Sequence, residues 1–104
     1  MSEITIHTNL LQIIDDEIAR STKKHGPLRS AHEAYAVILE EMDEANEAIG
    51  RLEHFINAFW NCVKRDACTK DQTQAIYENA INAAVELVQV AAMAEKFMQQ
   101  EAQR

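Results

Sequence analysis

Glycine and proline are nearly missing from this chain, with two Gly and one Pro in 104 residues. Few helix breakers, together with abundant Ala, Glu, Ile and Leu, point to long helices joined by few turns. Basic residues are also short: ten Lys and Arg stand against seventeen Asp and Glu, for a net charge of −7 and a pI near 5.0. No basic patch exists to neutralise phosphates, which argues against a nucleic-acid or anionic-membrane surface. Only two cysteines occur, Cys62 and Cys68, and they are expected as free thiols. The N-terminus carries Glu3 and no apolar run of its own, so no signal peptide is expected. No stretch approaches the length of a membrane span. These absences describe a soluble cytoplasmic protein. Several chemistries lack their residues as well. No Glu is followed by His at the third position, which sets aside a ferritin-like di-iron site. His7, His25, His32 and His54 are scattered. There is no glycine-rich phosphate loop and no nucleophile–histidine arrangement that spacing supports.

What remains is a single domain over residues 1–104. Its apolar fraction of 47% is generous for a length that buries only a modest core. Pairing between chains would use the surplus, so an oligomer is expected. The fold class is all-α, a bundle of three to five helices completed by oligomerisation. Residues 1–8 read as irregular. Leu10, Leu11, Ile14 and Ile18 recur at helical spacing, giving a first helix from about Asn9 to Lys23, capped by Thr8 or Asn9. His25-Gly26-Pro27 stops it. Ser30-Ala31-His32-Glu33 is a capping box that starts a second helix at Ser30. That helix either runs on through Leu52, Phe55, Phe59, Trp60 and Val63 or breaks near Gly50. A polar stretch over Lys64–Lys70 is the next loop, and Thr69 or Asp71 would cap a last helix running to about Gln99. The aromatic run around Phe55, Phe59 and Trp60 reads as core or subunit interface.

The informative stretch is Glu40-Glu41-Met42-Asp43-Glu44. Glu41 and Glu44 are one helical turn apart and project from the same side. Like charges at that spacing repel, and a carboxylate facing a core is costly unless neutralised. A divalent cation is the natural partner, with hard Mg2+ preferring carboxylate oxygen. An apolar seam over Ala31, Tyr35, Ile38, Met42, Ala45, Ile49 and Leu52 places Glu41 about 60° from its centre, at about 100° per residue. Glu41 there shares a stripe with Ala34, Val37 and Ala48; Glu40 and Asp43 point further toward solvent. In the last helix the expected seam is Ile76, Ala80, Ala83, Leu87, Ala91 or Val90, Ala94 and Met98. Asn79, Asn82, Glu86 and Gln89 form a polar stripe on its flank. Two antiparallel helices with acid on facing flanks can form a carboxylate-lined pocket. The alternative is an ordinary solvated acidic surface.

Three segments together resemble a known family. Lys24-His25-Gly26-Pro27, then Ser30 through Glu44, then Glu86-Leu87-Val88-Gln89-Val90-Ala91-Ala92-Met93-Ala94 resemble the phage-type branch of the MazG-like all-α nucleoside triphosphate pyrophosphohydrolases. The family pattern is E-E-x-x-E on one helix and E-x-x-D on a later one. Glu40, Glu41 and Glu44 meet the first half. Glu86 meets the start of the second, while Gln89 stands where the family has Asp, and the segment from Arg51 to Asn79 is longer than usual. The resemblance implies a helical homodimer or homotetramer that uses Mg2+, or Mn2+, to hydrolyse an NTP or dNTP to the monophosphate and pyrophosphate. It implies Glu41, Glu44 and Glu86 as metal ligands, Glu40 as the group that orients water, and Gln89 and Asn82 as substrate or metal-water contacts. Lys23, Lys24 and Arg29 flank the Gly-Pro turn ahead of the acidic helix; Lys24 and Arg29 are candidates to meet a nucleotide phosphate, and a solvated helix end is the alternative reading. Two other readings stay open: a catalytically weakened nucleotide-binding relative, suggested by Gln89, and a helical interaction protein without catalysis.

Overall fold

The computed structural model describes residues 2–103. It holds three helices, α1 (Glu3–His25), α2 (Ala31–Lys64) and α3 (Lys70–Ala102). The described residues contain no strand, so the all-α class stands. Among the described residues no helix is long and apolar enough to cross a membrane.

Local chemistry accounts for each helix end. The Ser2 hydroxyl accepts from the Thr5 amide at 3.2 Å, so α1 begins at Glu3 and residues 3–8, expected as irregular, are its first turns. Ile4, Thr5, Ile6 and Thr8 are weak helix formers because of branching at Cβ. The serine cap and the acidic Glu3 at the positive end of the helix outweigh that preference. Gly26 ends α1 with φ of +74°, a conformation that costs glycine little, and its N–H donates to Thr22 O at 2.8 Å. Ser30 Oγ accepts from the Glu33 amide at 3.1 Å, as the capping box predicts. α2 then continues unbroken through Gly50 for 34 residues. One glycine costs a helix about 1 kcal/mol, and the packed positions on both sides of Gly50 outweigh it. The α2–α3 turn closes with Ala67 N–H donating to Cys62 O at 2.9 Å. Asp66 there takes φ of 52°, tolerable because Asp visits the left-handed region more readily than most residues. α3 reaches Ala102, past the expected end at Gln99.

The chain divides into two compact units, one reaching to Met42 and resuming at Leu87, the other Asp43–Glu86. The first unit has a small core of Ile18, Ala92 and Met93, with Ile14, Val37 and Ile38 packed against it. Its Gly-Pro loop is fastened from α3. The Gln100 amide accepts from Leu28 N–H at 2.9 Å and donates to Leu28 O at 2.6 Å. Lys96 Nζ donates to Gly26 O at 2.7 Å and to Ser21 Oγ at 3.0 Å. The second unit is a helical hairpin in which Ala45, Ala48, Cys62 and Ala83 are buried. Arg51 Nε donates to Asn79 Oδ1 at 3.3 Å.

Both seams differ from their expected courses in the same sense. The less exposed line on α2 runs Ala34, Ile38, Glu41, Ala45, Ala48, Leu52, Phe55, Phe59 and Cys62, in steps of four and three. Ala31, Tyr35 and Met42 are exposed instead. On α3 the line passes through Ile76, Asn79, Ala83, Glu86, Val90 and Met93, while Ala80, Leu87 and Met98 are exposed. Each seam is therefore rolled toward its acid. Glu41 and Glu86 occupy seam positions and not the flank.

Candidate metal centre and adjoining cavity

Helical periodicity fixes the first pair of acids. Glu41, half-buried on the α2 seam, and Glu44, exposed one turn later, bring carboxylate oxygens within 4.8 Å of each other. The second pair lies in the hairpin. Glu44 and half-buried Glu86 also have carboxylate oxygens within 4.8 Å. The Glu44 carboxyl titrates above its ordinary range, first because it hydrogen-bonds to Glu86, then because of the Glu86 charge and lost solvation. A second negative charge this close disfavours the ionised form of Glu44. A set of hard oxygens fits Mg2+ or Mn2+ and offers nothing to a soft metal. Neighbouring Glu40 and Asp43 are exposed.

A cavity of about 450 Å³ opens in the first unit, within the range of about 300–1,000 Å³ typical of small-molecule sites. Its wall changes character along the helices. Glu40 and Glu41 stand at one end, Gln89, Val37 and Met93 in the middle, and Lys96, Ser21 and the Gly26–Arg29 loop at the other. By the rise of about 1.5 Å per residue, Glu41 is about 15 Å along α2 from its first turn, where Arg29 enters. α1 supplies Glu17 and Arg20 to the wall. Arg20 Nε donates to Glu17 Oε2 at 3.0 Å, and Arg20 Nη2 contacts Glu17 Oε1 as well. These bonds, and a further one from Gln89, hold the Glu17 carboxyl below the usual carboxylate range. Lys96 is buried, and loss of solvation lowers its ammonium's pKa, opposed by the charge of Glu33. Arg29 reaches the rim, where it pairs with Glu33 at 3.4 Å.

Comparison with protein-family models, with curated proteins and with solved structures gives no match. The chain's own geometry therefore carries the functional argument. Of the sequence-derived candidates, Glu41, Glu44 and Glu86 stand in the two close pairs; Glu40, Gln89 and Arg29 line the cavity. Lys24 and Asn82 are exposed and lie outside its lining. Three lining residues, Glu17, Arg20 and Lys96, have no sequence signal beyond ordinary helix surface. The i,i+3 spacing of Glu17 and Arg20 was the only available hint.

Proposed function

We propose that the chain is a Mg2+-dependent nucleoside triphosphate pyrophosphohydrolase of MazG-like type, converting an NTP or dNTP to the monophosphate and pyrophosphate. The observation that carries this reading is the placement of acid on the packing seam. A solvated acidic surface has no reason to put Glu41 in line with Ile38 and Ala45, or Glu86 in line with Ala83 and Val90. Carboxylates projecting from packing positions of helices are how metal sites in helical bundles are built. The raised Glu44 carboxyl beside Glu86 supports the same reading.

Glu41, Glu44 and Glu86 would hold the metal. When bound, Mg2+ supplies positive charge against the triphosphate oxygens as charge builds in the transition state. Glu40, exposed at the cavity end, would orient a water and accept its proton. The water oxygen bonds to the α-phosphorus, the α–β bridging P–O bond breaks, and pyrophosphate leaves. A nucleotide-binding relative without turnover is the second reading. It is favoured by Gln89, whose amide is engaged by Glu17 and adds no charge to the acids. Glu41→Gln and Glu44→Gln should each abolish Mg2+-dependent pyrophosphate release with helicity unchanged. Parent-like turnover in both variants removes the assignment.

A second copy of the chain is the proposed partner. In the hairpin unit, Ile49, Ile56 and Val63 recur every seven residues on α2, with Trp60 beside them. Ile56, Trp60 and Val63 are exposed, Trp60 by 59%. Tyr77 on α3 is 68% exposed. In an antiparallel pair the position just after each seam residue faces the same side, so Ile56, Val63 and Tyr77 share one face. A strict seven-residue apolar repeat is the pattern that helices use to pack on one another. A symmetric pairing of two hairpins would give a four-helix arrangement.

A further inference from the structure

One cation of the first unit is buried with no anion to match it. Lys96 is only 4% exposed, and a lysine is almost never buried so fully unless it is paired. Its Nζ donates to Ser21 Oγ at 3.0 Å and to Gly26 O at 2.7 Å. Both acceptors are neutral. An ammonium has three donors, so one has no partner among the described residues. The ion pairs among those residues join Arg20 to Glu17 and Arg29 to Glu33, and Lys96 belongs to neither. Glu33 acts on Lys96 through its charge alone and is already paired with Arg29 at 3.4 Å. Neutral acceptors do not repay the lost hydration of a buried charge as a counter-ion does.

The surroundings favour an anion at this point. Lys96, Ser21, Gly26 and Arg29 line the loop end of the cavity. The Arg29 side chain is 85% exposed at the rim, free enough to turn inward. α2 begins here, so the positive end of its dipole adds a field of the same sign. The carboxylates of Glu40 and Glu41 stand at the other end. Glu33 and Glu41 are eight residues apart on α2, about 12 Å at the helical rise. One end of the cavity therefore suits a cation and the other an anion.

We propose that the loop end of this cavity binds one small oxyanion, a carboxylate or a phosphate, through the third N–H of Lys96, with Arg29 turning from Glu33 to cover it. A planar guanidinium matches two oxygens of either group, and one unmatched positive charge calls for one anion. The site is distinct from the carboxylate pairs and does not depend on the pyrophosphohydrolase reading. Because Lys96 also fastens Gly26, a bound anion would hold the Gly-Pro loop more firmly.

The test uses the native chain with chelator present and no metal. Sodium phosphate and sodium acetate are titrated separately and followed by the backbone amide signals in NMR, against sodium chloride at equal ionic strength. At least one oxyanion should give saturating shifts at Ser21, Gly26, Leu28 and Lys96, with Glu41, Glu44 and Glu86 unmoved. Saturation by acetate alone identifies a carboxylate site, by phosphate alone a phosphate site, and by both a general oxyanion site. Glu33→Gln keeps a residue suited to the capping box, frees Arg29 and removes the opposing charge. It should tighten binding about threefold, the size of an exposed charge effect. Lys96→Met should abolish saturation; should it fail to fold, Glu33→Gln still decides. Shifts that chloride reproduces, no saturation with either oxyanion, shifts centred on the acids, or unchanged affinity in Glu33→Gln would overturn the proposal. Failure to release pyrophosphate from any nucleotide would sink the catalytic reading and leave this metal-free result standing.

Discussion

Replacing Glu41 with leucine separates an acid kept for a ligand from an acid that happens to be on a surface. Position 41 continues the line of Ile38 and Ala45, and Ala45 is fully buried. Fully burying a leucine is worth about 1.5–3 kcal/mol. At this half-buried position about half of that applies, so leucine burial should contribute about 1 kcal/mol, set against the loss of the interaction Glu41 makes in the metal-free chain. For a domain of this size each net kcal/mol moves the melting temperature by about 4–8 °C. The response to metal is the decisive part. Mg2+ at ten times its dissociation constant adds about 1.4 kcal/mol to a native state that binds it. The leucine variant should gain nothing. Thermal unfolding by circular dichroism, with Mg2+ and with chelator, reads both effects. Glu41→Leu still fully stabilised by Mg2+ would refute the argument that position 41 is held by a metal ligand.

Lys96→Met removes the donor of two hydrogen bonds, to Gly26 O and Ser21 Oγ. Bonds to charged groups are worth about 1.5–3 kcal/mol each, and relief of ammonium desolvation returns part of that. A net loss of about 2–4 kcal/mol is expected, seen as a lower urea midpoint; an unchanged midpoint contradicts it. Gln89→Asp places a second carboxylate against Glu17 and removes the amide donor. It should lower stability and leave pyrophosphate release no higher than in the parent, and a gain in release would show the position serving the metal instead. Glu17 makes stability pH-dependent with a definite sign. Its folded carboxyl lies below its ordinary value, so its contribution is full above the unfolded value and is lost as pH falls through the folded one. Glu17→Gln should flatten that part of an acid melting series; an identical series contradicts it. Light scattering at micromolar concentration should give a dimer or tetramer, and Ile56→Glu with Trp60→Glu should shift it to 11.8 kDa. A native monomer removes the pairing proposal.

Helix boundaries were legible where one residue decides them. Gly26-Pro27 stops α1, and Ser30 with Glu33 starts α2. The start of α1 was not, because the propensities of Ile4 to Thr8 argue against helix and only the cap at Ser2 overrides them. The seams were legible in period but not in phase. α2 carries apolar residues both on its buried line and next to it, at Tyr35, Met42, Ile49 and Ile56. A seam drawn through the largest side chains drifts toward that second, exposed face. The buried line is instead set by small residues, Ala34, Ala45 and Ala48, which let helices approach closely. The acids were visible as a pattern, but their position on the seam was not. Lys96 was hidden for another reason. Lysine is almost always solvated, and its partners at Ser21 and Gly26 are 75 and 70 residues away in the chain.

The most direct measurement is the product analysis of a Mg2+-containing reaction with the four deoxynucleoside triphosphates. The account predicts monophosphate and pyrophosphate in equal amounts from at least one of them, with no orthophosphate and no product once the metal is chelated. Orthophosphate as the product, or no turnover of any nucleotide together with no Mg2+ binding by calorimetry, would contradict it.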